Sequence, residues 1–184
     1  MNLRNDFVYG QSNNRASSQL KGELMGMPFN ADEVFEMAEQ IERNGTKFYR
    51  DAAKKFPQVD KLFLDLAEME VKHEKTFAGM RKELTGTQAE PLVFDPDSEA
   101  QMYLQVMADE HVFDPKADLK KQLAGQDTPE AVLNMAIGLE RDSIAFYVGI
   151  KEAVSRRAGK DKVEDIIKEE IGHIAILKKK LDSL

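Results

Sequence analysis

The stretch EEIGHIAIL, residues 169–177, decides the fold. Glu170 and His173 stand among Ile166, Ile167, Ile171, Ile174 and Leu177, where a helical period carries them toward an apolar interior. Titratable groups go there only when paired or bound to something. A second copy of the pattern says what they are paired with. EMEVKHEKTF (68–77) aligns with KEEIGHIAIL (168–177) at an offset of 100 residues, and IERNGTKFY (41–49) aligns with LERDSIAFY (139–147) at an offset of 98. The chain repeats a helical hairpin, and the two-residue difference falls in the turn.

Four long segments carry helical periodicity. The first opens at NADE, with Asn30 as N-cap and Glu33 three residues on, a capping-box pattern, and stops near Pro57. The second follows it to Gly86. Thr128 and Pro129 open the third as N-cap and first helical residue, running to about Arg157, and the fourth runs from Asp161 to the end. Between the pairs, SEAQMYLQVMADEHVF (98–113) and PKADLKKQLAG (115–125) read as shorter helices punctuated by Pro91, Pro96 and Pro115. No strand alternation is present. The reading is all-α: a flexible arm over 1–29, then a four-helix bundle over 30–184. The bundle is made of a hairpin at 30–86, a long crossover at 87–127 and a hairpin at 128–184, one of the standard bundle connectivities.

Composition narrows the function. The 184 residues are 42% apolar and 32% charged, with net charge −7. That acidity argues against nucleic acid as a partner. The absence of cysteine excludes disulfides and thiolate metal sites and fits a cytoplasmic setting. No apolar run approaches the roughly 18 residues of a membrane span, and the N-terminus lacks the pattern of a signal peptide.

On each long helix a stripe at steps of three and four places one glutamate inward. The stripes read Phe35, Ala38, Glu42, Gly45, Tyr49, Ala52; then Phe63, Leu66, Glu70, His73, Phe77; then Leu133, Ala136, Glu140, Ser143, Tyr147, Ile150; then Val163, Ile166, Glu170, His173, Leu177, Leu181. The inward polar set is thus Glu42, Glu70, His73, Glu140, Glu170 and His173. Four carboxylates alone in a core repel and resist ionisation, and two divalent cations cancel their charge. Carboxylate oxygen with imidazole nitrogen suits iron, manganese or zinc better than calcium. One Glu from each of two helices plus Glu-x-x-His from each of the other two is the ligand set of dinuclear carboxylate bundles.

Other residues receive plainer readings. Glu36 and Glu39, whose repeat mates are Asn134 and Ile137, belong to a solvated face, and Glu169, mate of Met69, points outward. Tyr49 and Tyr147 are read either as aromatic core or as hydrogen-bond donors that orient a ligating carboxylate. Gly45 and Ser143 are small and leave an open face for dioxygen or peroxide. His111 packs or lies at the surface, and Lys178, Lys179 and Lys180 favour a helix C-terminus.

These motifs resemble the ferritin-like superfamily, and within it the rubrerythrin-type di-iron domain, over roughly residues 31–184. The resemblance implies a ferritin-like fold with Glu42, Glu70, His73, Glu140, Glu170 and His173 holding two iron ions. It implies reaction with hydrogen peroxide, dioxygen or ferrous iron, and a homo-oligomer, as in a dimer. Two features depart from rubrerythrins proper. The cysteine-bearing rubredoxin domain is missing, so electrons come from an external donor such as a rubredoxin or from soluble iron. Ser143 also occupies the slot of an extra glutamate, which makes the site more like the symmetric one of bacterioferritin. Three functions follow for comparison: a di-iron oxidoreductase reducing peroxide or dioxygen, a ferroxidase serving iron handling or storage, and a non-catalytic bundle stabilised by metal.

Overall fold

Local signals start the helices where the sequence places them. The structure, a computed structural model, describes residues 29–84, 97–109 and 119–184. The Asn30 side chain accepts from the Glu33 amide at 3.0 Å, and the Asn30 amide donates to the Glu33 carboxylate at 2.9 Å. This reciprocal cap opens α1, Ala31–Lys55. A short 3-10 turn at Pro57–Val59 leads into α2, Asp60–Glu83. The crossover contributes α3, Glu99–Asp109, and α4, Leu119–Ala124. Thr128 caps α5, Pro129–Ala153, by accepting from the Ala131 amide at 3.2 Å, and α6 is Lys160–Leu181. Among the described residues there is no β-strand, and no helix is long and apolar enough to cross a membrane. The arm before residue 29 and His111 lie outside the described residues.

The third long helix ends earlier than its propensity suggests. α5 stops at Ala153 rather than near Arg157. Ser155 supplies the competing structure: its hydroxyl accepts from the Ala158 amide at 3.1 Å, and its carbonyl accepts from Ala158 and Lys160. Serine's short polar side chain offers the backbone this alternative to helix. Gly159 then turns the chain at φ 111°, a left-handed conformation that suits glycine. A Cβ there would collide with the Met80 sulfur, so the close approach of this turn to α2 also requires glycine.

α1 packs along α2 and α5 along α6, and the four inward stripes close a bundle with three levels. One apolar cluster holds Phe35, Phe77, Met80, Tyr147, Ile150 and Val163. The other holds Tyr49, Phe63, Leu66, Leu133, Ala136 and Leu177. Between them lies a layer of buried Glu and His. The crossover helices lash onto this frame by polar ties. Gln101 exchanges two hydrogen bonds with the Phe29 backbone, at 2.9 and 3.0 Å. Tyr103 donates to the Ala145 carbonyl at 2.7 Å. Lys55 at the end of α1 gathers the carbonyls of Leu123 (2.8 Å), Ala124 (3.0 Å) and Gln126 at the end of α4.

Candidate metal centre

Each of the six inward residues is buried: Glu42, Glu170 and His173 at 0% exposure, His73 at 2%, Glu140 at 3% and Glu70 at 4%. The polar layer is therefore a sealed one, with apolar packing above and below it. Six ionisable groups in such a place demand compensation.

They converge as two overlapping tetrads. Glu42, Glu70, His73 and Glu170 present ligand atoms all within 4.8 Å of one another, and so do Glu70, Glu140, Glu170 and His173. Glu70 and Glu170 belong to both. Each tetrad adds one private glutamate and one private histidine, and both private residues of a tetrad come from the same hairpin. The Nδ1 atom of His73 lies 2.9 Å from Glu170 and 3.7 Å from Glu42. The Nδ1 atom of His173 lies 2.7 Å from Glu170, 3.4 Å from Glu70 and 3.5 Å from Glu140.

Short as they are, these approaches lack hydrogen-bond alignment. Both Nδ1 atoms, both oxygens of Glu170, Oε2 of Glu42 and Oε1 of Glu70 are buried with no hydrogen-bond partner. Buried polar groups in folded proteins are nearly always satisfied. Six unsatisfied ones around a common pair of points are what a set of metal ligands looks like, and the donor set of carboxylate oxygen and imidazole nitrogen fits iron, manganese or zinc.

The electrostatics agree. Burial, reinforced by the Glu70 charge, pushes Glu42 well above the ordinary carboxylate range. Burial likewise raises Glu140, to about 7. Glu170 is the exception: burial and Glu70 push it up, but His173 and His73 more than offset them and leave it below its usual value. Burial would depress the two imidazoles, yet the carboxylates around them prevail, holding His73 at about 11 and His173 at about 12. The buried acids thus draw positive charge to the layer.

Two tyrosines complete the layer by crossing between hairpins. Tyr147 on α5 donates to Oε1 of Glu42 on α1 at 2.5 Å, and Tyr49 on α1 donates to Oε1 of Glu140 on α5. Both phenols are fully buried and burial raises them well above their ordinary range, so they remain donors. Tyr147 leaves Oε2 of Glu42 to face the cluster, whereas Oε1 of Glu140, which Tyr49 holds, is also the oxygen that lies 3.5 Å from His173.

Several surrounding residues differ from their sequence-based readings. Glu169 is half-exposed, as an outward residue should be, yet its carboxylate reaches the Nε2 atom of His73 at 3.0 Å. That contact fixes the ring with Nδ1 toward the cluster. The equivalent atom of His173 is buried without a partner, and the repeat mate of Glu169 is Met69. The space beside Gly45 is not an open face: a Cβ there would sit 3.2 Å from Oε2 of Glu70. Glycine makes room for the shared carboxylate. Ser143 donates to the Leu139 carbonyl of its own helix at 3.1 Å. Glu36 and Glu39 stay outside the centre, but they are ion-paired rather than merely solvated, with Arg81 at 2.9 and 3.6 Å, and Glu39 also meets Arg43 at 3.2 Å.

The rubrerythrin family model matches residues 33–181. The chain belongs to the rubrerythrin family. The rubrerythrin match spans all four long helices apart from the first two residues of α1, and so includes every residue of the buried cluster. Among solved structures, a Thermotoga maritima protein described as ferritin-like and diiron-carboxylate superposes with a TM-score of 0.58 at 23% identity, over 84% of this chain and 96% of that one. This likeness shows the ferritin-like fold. No curated protein matches the chain.

Proposed function

We propose that the cluster holds two iron ions and that the protein is a di-iron oxidoreductase, reducing peroxide or dioxygen with electrons from ferrous iron or an external donor. The observation that carries this reading is the pair of tetrads sharing Glu70 and Glu170. Two carboxylates common to both sets, with one private Glu and one private His each, is the arrangement that holds two cations side by side. Glu42 with His73 and Glu140 with His173 would complete the two coordination sets.

When bound, two ferrous ions supply two electrons, the number that takes hydrogen peroxide to water. The chain's own residues prepare the place for that chemistry. Tyr49 and Tyr147 orient the private glutamates, and Glu169 orients His73. The apolar clusters on either side keep bulk water out of the layer. Four carboxylates against two dications leave the centre near neutrality, which makes a reduced pair tolerable in a buried site.

The test is anaerobic stopped-flow mixing of the ferrous-loaded protein with hydrogen peroxide and, separately, with dioxygen. Oxidation within the mixing experiment, faster than for free ferrous iron, is expected with at least one oxidant. Faster reaction with peroxide assigns a peroxidase, and faster reaction with dioxygen a ferroxidase. Inertness toward both overturns the oxidoreductase reading, and metal analysis of the protein purified without added metal then tests whether iron belongs there at all.

A further inference from the structure

The repeat offers an internal control for separating what the bundle needs from what it does not. On the outer side of the first hairpin, between α1 and α2, runs a groove of about 330 Å³. Its α1 wall carries Arg43, Lys47, Arg50 and Lys54, one cation per turn, above Thr46. The repeat mates of Thr46, Lys47 and Arg50 are Ile144, Ala145 and Val148, and the α2 residues Val71 and Glu74 that line the groove correspond to Ile171 and Ile174. Arg43 has a counterpart in Arg141, but the second hairpin makes the same half of the bundle with no cation at the positions of Lys47, Arg50 and Lys54. Packing therefore does not explain them.

Nor does internal pairing. Arg43 is held by Glu39 and Glu74, each at 3.2 Å, and Lys54 by Asp51 at 3.0 Å. Lys47 and Arg50 are exposed and have no partner among the described residues. Beneath them Thr46 is 7% exposed, and its hydroxyl has no hydrogen-bond partner. A helical threonine ordinarily satisfies its hydroxyl on the carbonyl one turn back, and leaving it unsatisfied when buried is costly. Lys47 and Arg50 thus lie in the same groove as a buried hydroxyl that has no acceptor.

We infer that this groove binds a small phosphate-type oxyanion, held by Lys47 and Arg50 with Thr46 at its floor. The chemistry favours that class. Guanidinium and ammonium donors in one place suit oxygen atoms of a compact anion. Glu74 and Asp51, already paired, set its edges and disfavour a larger acidic surface. The site is distinct from the metal centre in every residue, though Thr46 follows Glu42 by one turn, so an anion there and the metals would sense each other's charge. The inference does not depend on which metal the cluster holds.

Inorganic phosphate is the probe. Metal-loaded protein, freed of excess metal, is titrated with phosphate by calorimetry at low ionic strength and again with added chloride. Saturable binding to one site is expected, weakened about tenfold or more in the Lys47→Ala/Arg50→Ala double variant. Thr46→Val should weaken it less. Lys162→Ala, which removes a cation paired with Glu83 on the opposite hairpin face, should leave it unchanged. Both groove lysine and arginine are exposed, so the double variant keeps its fold, as circular dichroism would verify. Three results overturn the inference: no saturable binding to the parent protein, equal binding by the double variant (phosphate then sits on the metals), or an equal loss with Lys162→Ala (the effect is then bulk charge).

Discussion

The two hairpins do the same work inside and different work outside. Inward, both present a glutamate, a small residue one turn on, a tyrosine one turn further, and a Glu-x-x-His on the returning helix. Outward, the first hairpin is laced by charge: Arg81 forks onto Asp32 at 2.7 and 2.9 Å and continues to Glu36 and Glu39. The second hairpin carries charge on its outside too, with Lys160 on Glu152 and Lys168 on Glu164 and Asp165, but it takes α3 as a cover over α5. Gly149 allows that cover to lie close, since a Cβ there would meet the Tyr103 ring at 2.7 Å; its mate in the first hairpin is Asp51. What the hairpins share marks the centre, and what they do not share marks attachment and recognition.

That comparison can be broken most decisively at its shared elements. Glu170→Gln removes an oxygen ligand common to both tetrads, so metal analysis after dialysis should show loss of both ions. Glu42→Gln and Glu140→Gln should each cost one. If Glu170→Gln also loses only one, the two sets do not share it as the geometry requires.

Acidity probes both halves at once. His73 and His173 are held near 11 and 12 in the metal-free cluster, so both are protonated at neutral pH, and metal must displace those protons. Binding should release protons and tighten as pH rises, by up to about a hundredfold per unit if two leave together. Calorimetry in buffers of different ionisation enthalpy counts them. Affinity independent of pH between 6 and 8 (roughly the accessible window for metal work) would contradict the protonated state of the empty cluster.

Differences between the hairpins predict smaller effects. Gly149→Ala should destabilise the protein by about 1–3 kcal/mol through overpacking against Tyr103, read by urea denaturation, and Tyr103→Ala should relieve part of that in the double variant. Smallest is the histidine contrast. Glu169→Gln should weaken metal binding on the His73 side by about tenfold, whereas Met69→Glu, which offers His173 a carboxylate at the mate position, should strengthen the other side. Equal isotherms for all three proteins would show that Glu169 does no more than decorate the surface.

Much of this was legible in the amino-acid string because two periodicities coincide. The helical period placed Glu42, Glu70, Glu140 and Glu170 on inward stripes, and the repeat singled them out from neighbours such as Glu36, whose mate is Asn134. Other features were not legible, for physical reasons. Which glutamate Tyr49 meets depends on how the hairpins face one another, a property of the assembled bundle and not of spacing along one helix. Glu169 lies outside the stripe and acts through a reach between helices, so its pairing with Met69 spoke against a role it does have. The small size of Gly45 was visible, but only the packed structure shows that a carboxylate fills the space. The end of α5 was missed because the residues after Ala153 suit a helix, and a single serine side chain redirected the backbone.

The exchanged tyrosines have a mechanical consequence. Because each phenol is rooted in one half of the molecule and clasps an acid of the other, sliding the halves by even one helical residue, roughly 1.5 Å, would open both clasps together. The buried Glu and His cluster is thereby geared to the alignment of the whole bundle, and neither half can slacken its grip alone.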